Sequence, residues 1–201
     1  MLRSKSLLSV IAGAIVVSAP AFSQEESPAY KNEASVQAFG SFVKSTSSNG
    51  VDQSATNSGG VLASYRFFFN AHNGIEANYG YSLNTQNFLS SNGPLGIKTN
   101  SHEVSGAYVF RIPLRRFRPF VLAGAGALVF DPRDFPGAGT QTRAAFLYGG
   151  GADFNISRHV FMRAEYRGFV YSSPTYNLAS LDGTDRVTHR AEPSIGFGYR
   201  F

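Results

Sequence analysis

A chain of 201 residues has room for one domain, and this one is poor in charged residues (15%) and rich in aromatics (14%) and glycine (21 residues). It contains no cysteine, which excludes a disulfide framework and a thiolate metal site. The formal charge of +5 falls to +3 once residues 1–23, which carry Arg3 and Lys5 and no acid, are set aside. That excess is too small to suggest nucleic acid, which calls for basic clusters on one face.

In chain order, Arg3 and Lys5 precede an apolar run from Leu7 to Val17, and Ala21 and Ser23 place small residues before a cut ahead of Gln24. This is the layout of a secretory signal, so residues 1–23 are expected to be a signal peptide. The run is too short and interrupted for a membrane-spanning helix, and nothing downstream resembles one. Residues 24–33 read as a polar N-terminal lead-in.

Eight strand-like segments follow. Residues 34–43 alternate poorly. Residues 60–69 set Val61, Ala63, Tyr65, Phe67 and Phe69 against Ser64 and Arg66, and 75–84 set Ile75, Ala77, Tyr79, Tyr81 and Leu83 against Glu76, Asn78, Gly80, Ser82 and Asn84. Residues 101–111 oppose Val104, Tyr108 and Phe110 to Glu103, Ser105 and Arg111. Residues 119–130 are rich in glycine and alanine, with no clear facing. In 144–154, Phe146, Tyr148, Ala152 and Phe154 oppose Ala145, Gly149, Gly151 and Asp153; in 160–169, Val160, Met162, Ala164 and Tyr166 oppose Arg163, Glu165 and Arg167. The last segment, 188–201, opposes Ala191, Ile195, Phe197, Tyr199 and Phe201 to Arg190, Glu192, Ser194 and Arg200.

Strand side chains alternate between two faces. In nearly every segment one face is greasy while the other carries arginine and glutamate, the inversion a transmembrane barrel requires. The links also alternate: long and polar at 44–59, 85–100, 131–143 and 170–187, short at 70–74, 112–118 and 155–159. Asn73-Gly74 marks a tight turn. Eight strands with long loops at one end and short turns at the other predict an all-β, eight-stranded antiparallel up-and-down transmembrane β-barrel over 34–201. The inward charges are then Arg66, Arg111, Arg163, Arg167, Arg190 and Arg200 against Glu76, Glu103, Asp153, Glu165 and Glu192, a nearly balanced set. An eight-stranded barrel is just wide enough for its interior side chains, so this lumen charge network is expected to be a packed plug.

The chain resembles the small OmpA/OmpX-type outer-membrane β-barrels. The resemblance rests on Arg118-Pro-Phe-Val-Leu-Ala-Gly-Ala-Gly126, Gly149-Gly-Gly-Ala-Asp-Phe154, Met162-Arg-Ala-Glu-Tyr-Arg167 and the closing Tyr199-Arg-Phe201. It implies a location in the bacterial outer membrane and insertion by the barrel-assembly machinery. The alternating terminal residues Ile195, Phe197, Tyr199 and Phe201 would serve as the assembly signal. It implies contact with outer-membrane lipid and lipopolysaccharide, and it implies no one activity.

The chemistry of an enzyme is not found. His102 and Glu103 face oppositely, as do His189 and Ser194, so no serine, base and acid converge. Neither a cofactor motif nor a metal-ligand set is present: Gly149-Gly-Gly151 lacks the lysine and helix of a phosphate loop, and His72, His102, His159 and His189 have no carboxylate cluster. The expected function is a non-enzymatic barrel with a structural or surface-contact, adhesin-like role. Phe88, Phe135 and Tyr176 would sit at the loop tips and face an unknown extracellular ligand. The alternatives are a small ion-conducting pore and, behind it, a lipid-modifying enzyme.

Overall fold

The computed structural model describes residues 30–48, 50–90, 93–133, 137–176, 178, 181 and 186–201. The expected signal peptide and most of the lead-in lie outside them. Among the described residues there are ten strands: β1 (Asn32–Val43), β2 (Thr46–Ser48), β3 (Val51–Ala55), β4 (Ser58–Phe68), β5 (Asn73–Ser90), β6 (Gly93–Arg111), β7 (Phe117–Arg133), β8 (Gln141–Asn155), β9 (Val160–Ser172) and β10 (Val187–Arg200). Eight of them close a barrel in the order β1-β4-β5-β6-β7-β8-β9-β10, every pairing antiparallel, with β10 returning to β1 through Glu33 opposite Arg200. Closure leaves no open sheet edge in the wall, the condition lipid imposes on a spanning sheet.

The side chains are inverted relative to a soluble sandwich. Val36, Val104, Val121 and Phe197 are 60%, 57%, 59% and 62% exposed on the outer wall, while Arg66, Arg163, Arg167 and Glu192 are buried inside. The wall is ringed at two heights by aromatics. Near the chain ends, Tyr199 stacks with Phe201 at 6.4 Å and Phe117 meets Phe154 at 5.2 Å. Toward the other end lie Tyr79, Tyr81, Phe146 and Tyr148. Such girdles mark the two membrane interfaces.

Two of the expected loops are sheet instead. Residues 85–90 and 93–100 continue β5 and β6 as paired strands, from Thr85 opposite Lys98 to Ser90 opposite Gly93. Within 44–59, β2 pairs with β3, and β3 pairs with β5 (Asp52 opposite Leu89). The result is a four-stranded wing, β2-β3-β5-β6, rising beyond the barrel wall. Its polar outer face hid it in the sequence, because no lipid forces apolar side chains outward there.

The two ambiguous strands are now oriented. In β1, Glu33, Ser35, Gln37, Phe39 and Ser41 point inward; in β7, Phe120, Leu122, Leu128 and Phe130 do. Small residues let β6 and β7 approach here: a Cβ at Gly124 would collide with the Gly106 carbonyl oxygen.

Candidate functional site

Among the described residues, six arginines and six carboxylates stand in ion-pair contact in the lumen. Toward the chain ends, Glu33 accepts from three arginines: Arg111 (2.7 Å) and Arg200 (2.8 Å) on Oε1, and Arg163 (3.1 Å) on Oε2. Asp153 takes a two-pronged bond from Arg163 (2.7 and 3.0 Å) and a longer contact from Arg200 (3.5 Å). At mid-height Arg66 pairs with Glu76, its cross-strand neighbour, and reaches Glu165 at 3.5 Å, where Gln37 also donates at 3.4 Å. Higher still, Arg167 bridges Glu103 (2.6 Å) and Glu192 (2.7 Å), and Arg190 contacts both of the same acids. All eleven lumen charges read from the sequence, Arg66, Glu76, Glu103, Arg111, Asp153, Arg163, Glu165, Arg167, Arg190, Glu192 and Arg200, occupy this interior.

Glu33 was missed. It fell in the polar lead-in one residue before the first expected strand, yet it is the acid with the most arginine partners, and it makes the count six against six. The available signal was its alternation with Ser35 and Gln37.

Between these charges the inner face of β7 is apolar, with Phe120, Leu122, Leu128 and Phe130, and Val109 of β6 and Leu147 of β8 pack against it. The arginines lie across aromatic rings: Arg111 over Phe68 (3.4 Å), Arg66 over Phe120 (3.9 Å) and Arg200 over Phe161 (4.1 Å). A guanidinium, flat and weakly hydrated, suits both the carboxylate fork and the ring face. This explains why no lysine serves in the network.

The mouth away from the chain ends is shut by apolar side chains. Phe88 and Tyr176, expected as exposed tips, are buried there with Ile97, Phe130, Tyr171 and Leu181; Phe135 lies outside the described residues. Tyr176 meets Phe88 edge-on at 6.1 Å, and its hydroxyl lies 2.8 Å from Thr99 Oγ1. Its backbone N–H donates to Gln141 Oε1 at 3.0 Å, its carbonyl accepts from Gly139 N–H at 3.0 Å, and its φ of 54° is the one positive value on a described non-glycine residue. Burial pushes the Tyr176 phenol pKa above its ordinary value.

The four histidines belong to the aromatic rings of the outer wall. His102 lies 2.9 Å from the Tyr79 hydroxyl, His189 lies 2.8 Å from that of Tyr148, His72 stacks on Phe110 and His159 on Tyr199. Among the described residues no group of three or more His, Cys, Asp or Glu side chains is placed to hold a metal ion.

A closed eight-stranded antiparallel barrel with a lipid-facing wall defines the class: an outer-membrane β-barrel protein. The chain belongs to the family of outer membrane protein beta-barrel domains, whose model matches residues 9–201. Solved structures with this fold include OprG from Pseudomonas aeruginosa (13% identity, TM-score 0.60, covering 86% of this chain and 96% of that one) and Neisserial surface protein A (15%, 0.59, 84% and 97%). Ail, the attachment invasion locus protein of Yersinia pestis, is also similar (20%, 0.54, 86% and 99%). No curated protein sequence matches the chain.

Proposed function

We propose that the protein is a non-enzymatic outer-membrane barrel that presents a rigid extracellular wing for contact with surfaces or neighbouring molecules, its lumen serving as a structural plug. The observation that carries this reading is the closed lumen: paired charges fill it, and Phe88, Phe130, Tyr171 and Tyr176 cap it. With the interior occupied, what remains accessible is the outside, and loops held on a rigid scaffold are where binding concentrates. The wing offers Ser47, Asp52, Leu89 and Pro94 in one cross-strand row, beside a hollow of about 580 Å³ lined in part by Thr46, Asn87 and Leu95.

The test is a variant in which Asn84 and Asn100 are joined by a tight turn, displayed on cells beside the intact protein over immobilised matrix proteins and glycans. Retention by the intact protein alone, with both barrels folded, supports the reading. Equal behaviour of the two removes the wing as the contact surface.

A small pore is the second reading. It is favoured by Ser64, Ser82 and Ser105, inward-facing groups whose buried hydroxyls have no hydrogen-bond partner among the described residues and would be satisfied by internal water. Reproducible current steps in planar bilayers, altered by Arg163→Gln or Glu165→Gln, would favour the pore over the plug.

A further inference from the structure

The short turns at the chain-end rim combine two features that a merely solvated turn does not need. The first is apolar exposure. Ile112, Leu114, Phe117 and Ile156 are each more than two-fifths exposed, although they lie at or beyond the last wall residues. The second is charge of one sign. Arg115, Arg116 and Arg158 stand exposed among them, with Lys31 on the same rim, and none has a carboxylate within ion-pair distance among the described residues. The acids nearest in sequence and register, Glu33 and Asp153, are buried in the lumen on other arginines. At the opposite end the exposed cations Lys44, Lys98, Arg133 and Arg186 share the described surface with exposed Asp52 and half-buried Asp131, so charge of a single sign is the mark of the chain-end rim.

The two turns are tied into one surface. Asn155 donates from its side chain to the Arg115 carbonyl (2.8 Å) and from its backbone to the Arg116 carbonyl (2.9 Å), and the Phe117 and Phe154 rings meet below them. In outer-membrane barrels short turns and chain ends face the periplasm. We infer that this patch binds anionic phospholipid headgroups of the periplasmic leaflet. Ile112, Leu114 and Ile156 enter the interface while Arg115, Arg116 and Arg158 meet phosphate oxygens. A cation near an anionic lipid surface is favoured, and apolar side chains on the same turns place the contact in the membrane plane and not in the aqueous periplasm. This does not depend on the extracellular reading above.

The test uses the full barrel in dioleoylphosphatidylcholine bilayers doped with spin-labelled phosphatidylglycerol or spin-labelled phosphatidylcholine, with the motionally restricted fraction read by electron paramagnetic resonance. The native chain is expected to select phosphatidylglycerol, by up to about fivefold for each arginine in contact, and to lose selectivity in high salt. The triple variant Arg115→Gln, Arg116→Gln, Arg158→Gln should fall to near parity. The corresponding triple lysine variant should keep the preference, which separates loss of charge from loss of fold. Parity in the native chain, or unchanged selectivity in the glutamine variant, overturns the inference. So does arginine-dependent co-sedimentation with peptidoglycan sacculi without any lipid preference.

Discussion

Glu33→Gln removes one negative charge from the middle of three arginines while keeping the side chain's size. Of the three, Arg163 and Arg200 retain Asp153, but Arg111 has Glu33 as its one carboxylate among the described ion pairs. Breaking a buried pair by deleting one partner costs about 3–5 kcal/mol, because the survivor is left charged and dry. The stacking of Arg111 on Phe68 and its 2.9 Å bond to the Ala71 carbonyl place the expected loss toward the lower figure. Removing both groups, in Glu33→Gln with Arg111→Met, leaves no orphan and should recover about 2 kcal/mol relative to the sum of the single changes. Urea titration of the barrel in lipid vesicles, followed by heat-modifiable gel migration, supplies all four corners of the cycle. A single-variant loss below about 1 kcal/mol together with a coupling near zero would show that the network contributes nothing as a network.

Other expectations follow from the same architecture. Val104→Arg, between the two aromatic girdles, should cost about 2–4 kcal/mol in vesicles, whereas a water-facing site of equal exposure would tolerate it within about 0.5 kcal/mol. The phenol of Tyr176 has a raised pKa in the folded chain. Its contribution is therefore fully present below the ordinary phenol value of about 10 and is lost as pH rises through the raised one. Phenolate absorbance should accordingly show its last ionisation only at strongly alkaline pH, and Tyr176→Phe should remove that step. Phe201 closes the sheet through two backbone hydrogen bonds with Asn32, which any residue could make, while its side chain is half exposed and meets the Tyr199 and Tyr65 rings at 6.4–6.5 Å. We propose that it acts with Ile195, Phe197 and Tyr199 mainly as an assembly signal, so Phe201→Ser should lower the yield of folded barrel in cells far more than it lowers refolding in detergent.

The wall could be read from the chain because lipid enforces it. Wherever hydrocarbon touches a strand, as at Ile75 to Leu83 or Ile195 to Phe201, apolar and polar residues must alternate, and these stretches are the clearest in the sequence. Legibility failed where that pressure is absent. The wing strands β2 and β3 and the ends of β5 and β6 stand above the membrane, so their polar faces look like loops. In β7 the pattern vanishes because the inner face is apolar as well: Phe120, Leu122, Leu128 and Phe130 supply rings and aliphatic surface beneath the arginines. β1 was blurred by small outward residues, Ala34 and Ala38, and by inward Phe39, which also hid Glu33. The closure of the mouth was invisible. Tyr176 and Phe88 are ordinary aromatic loop residues until the Gln141 and Thr99 contacts draw the loop inward.

A barrel of this kind spans a membrane only if the apolar face of its wall looks outward. Since the chain has no native cysteine, single cysteines at successive positions 102–109 of β6 can each carry a nitroxide in lipid vesicles, with relaxation by oxygen compared with relaxation by a water-soluble nickel chelate. Accessibility should alternate with a period of two, high to oxygen at His102, Val104, Gly106 and Tyr108 and low to both agents at Glu103, Ser105, Ala107 and Val109. Chelate accessibility at Val104 and Tyr108, with oxygen favouring Glu103 and Ser105 or no alternation at all, would contradict that orientation.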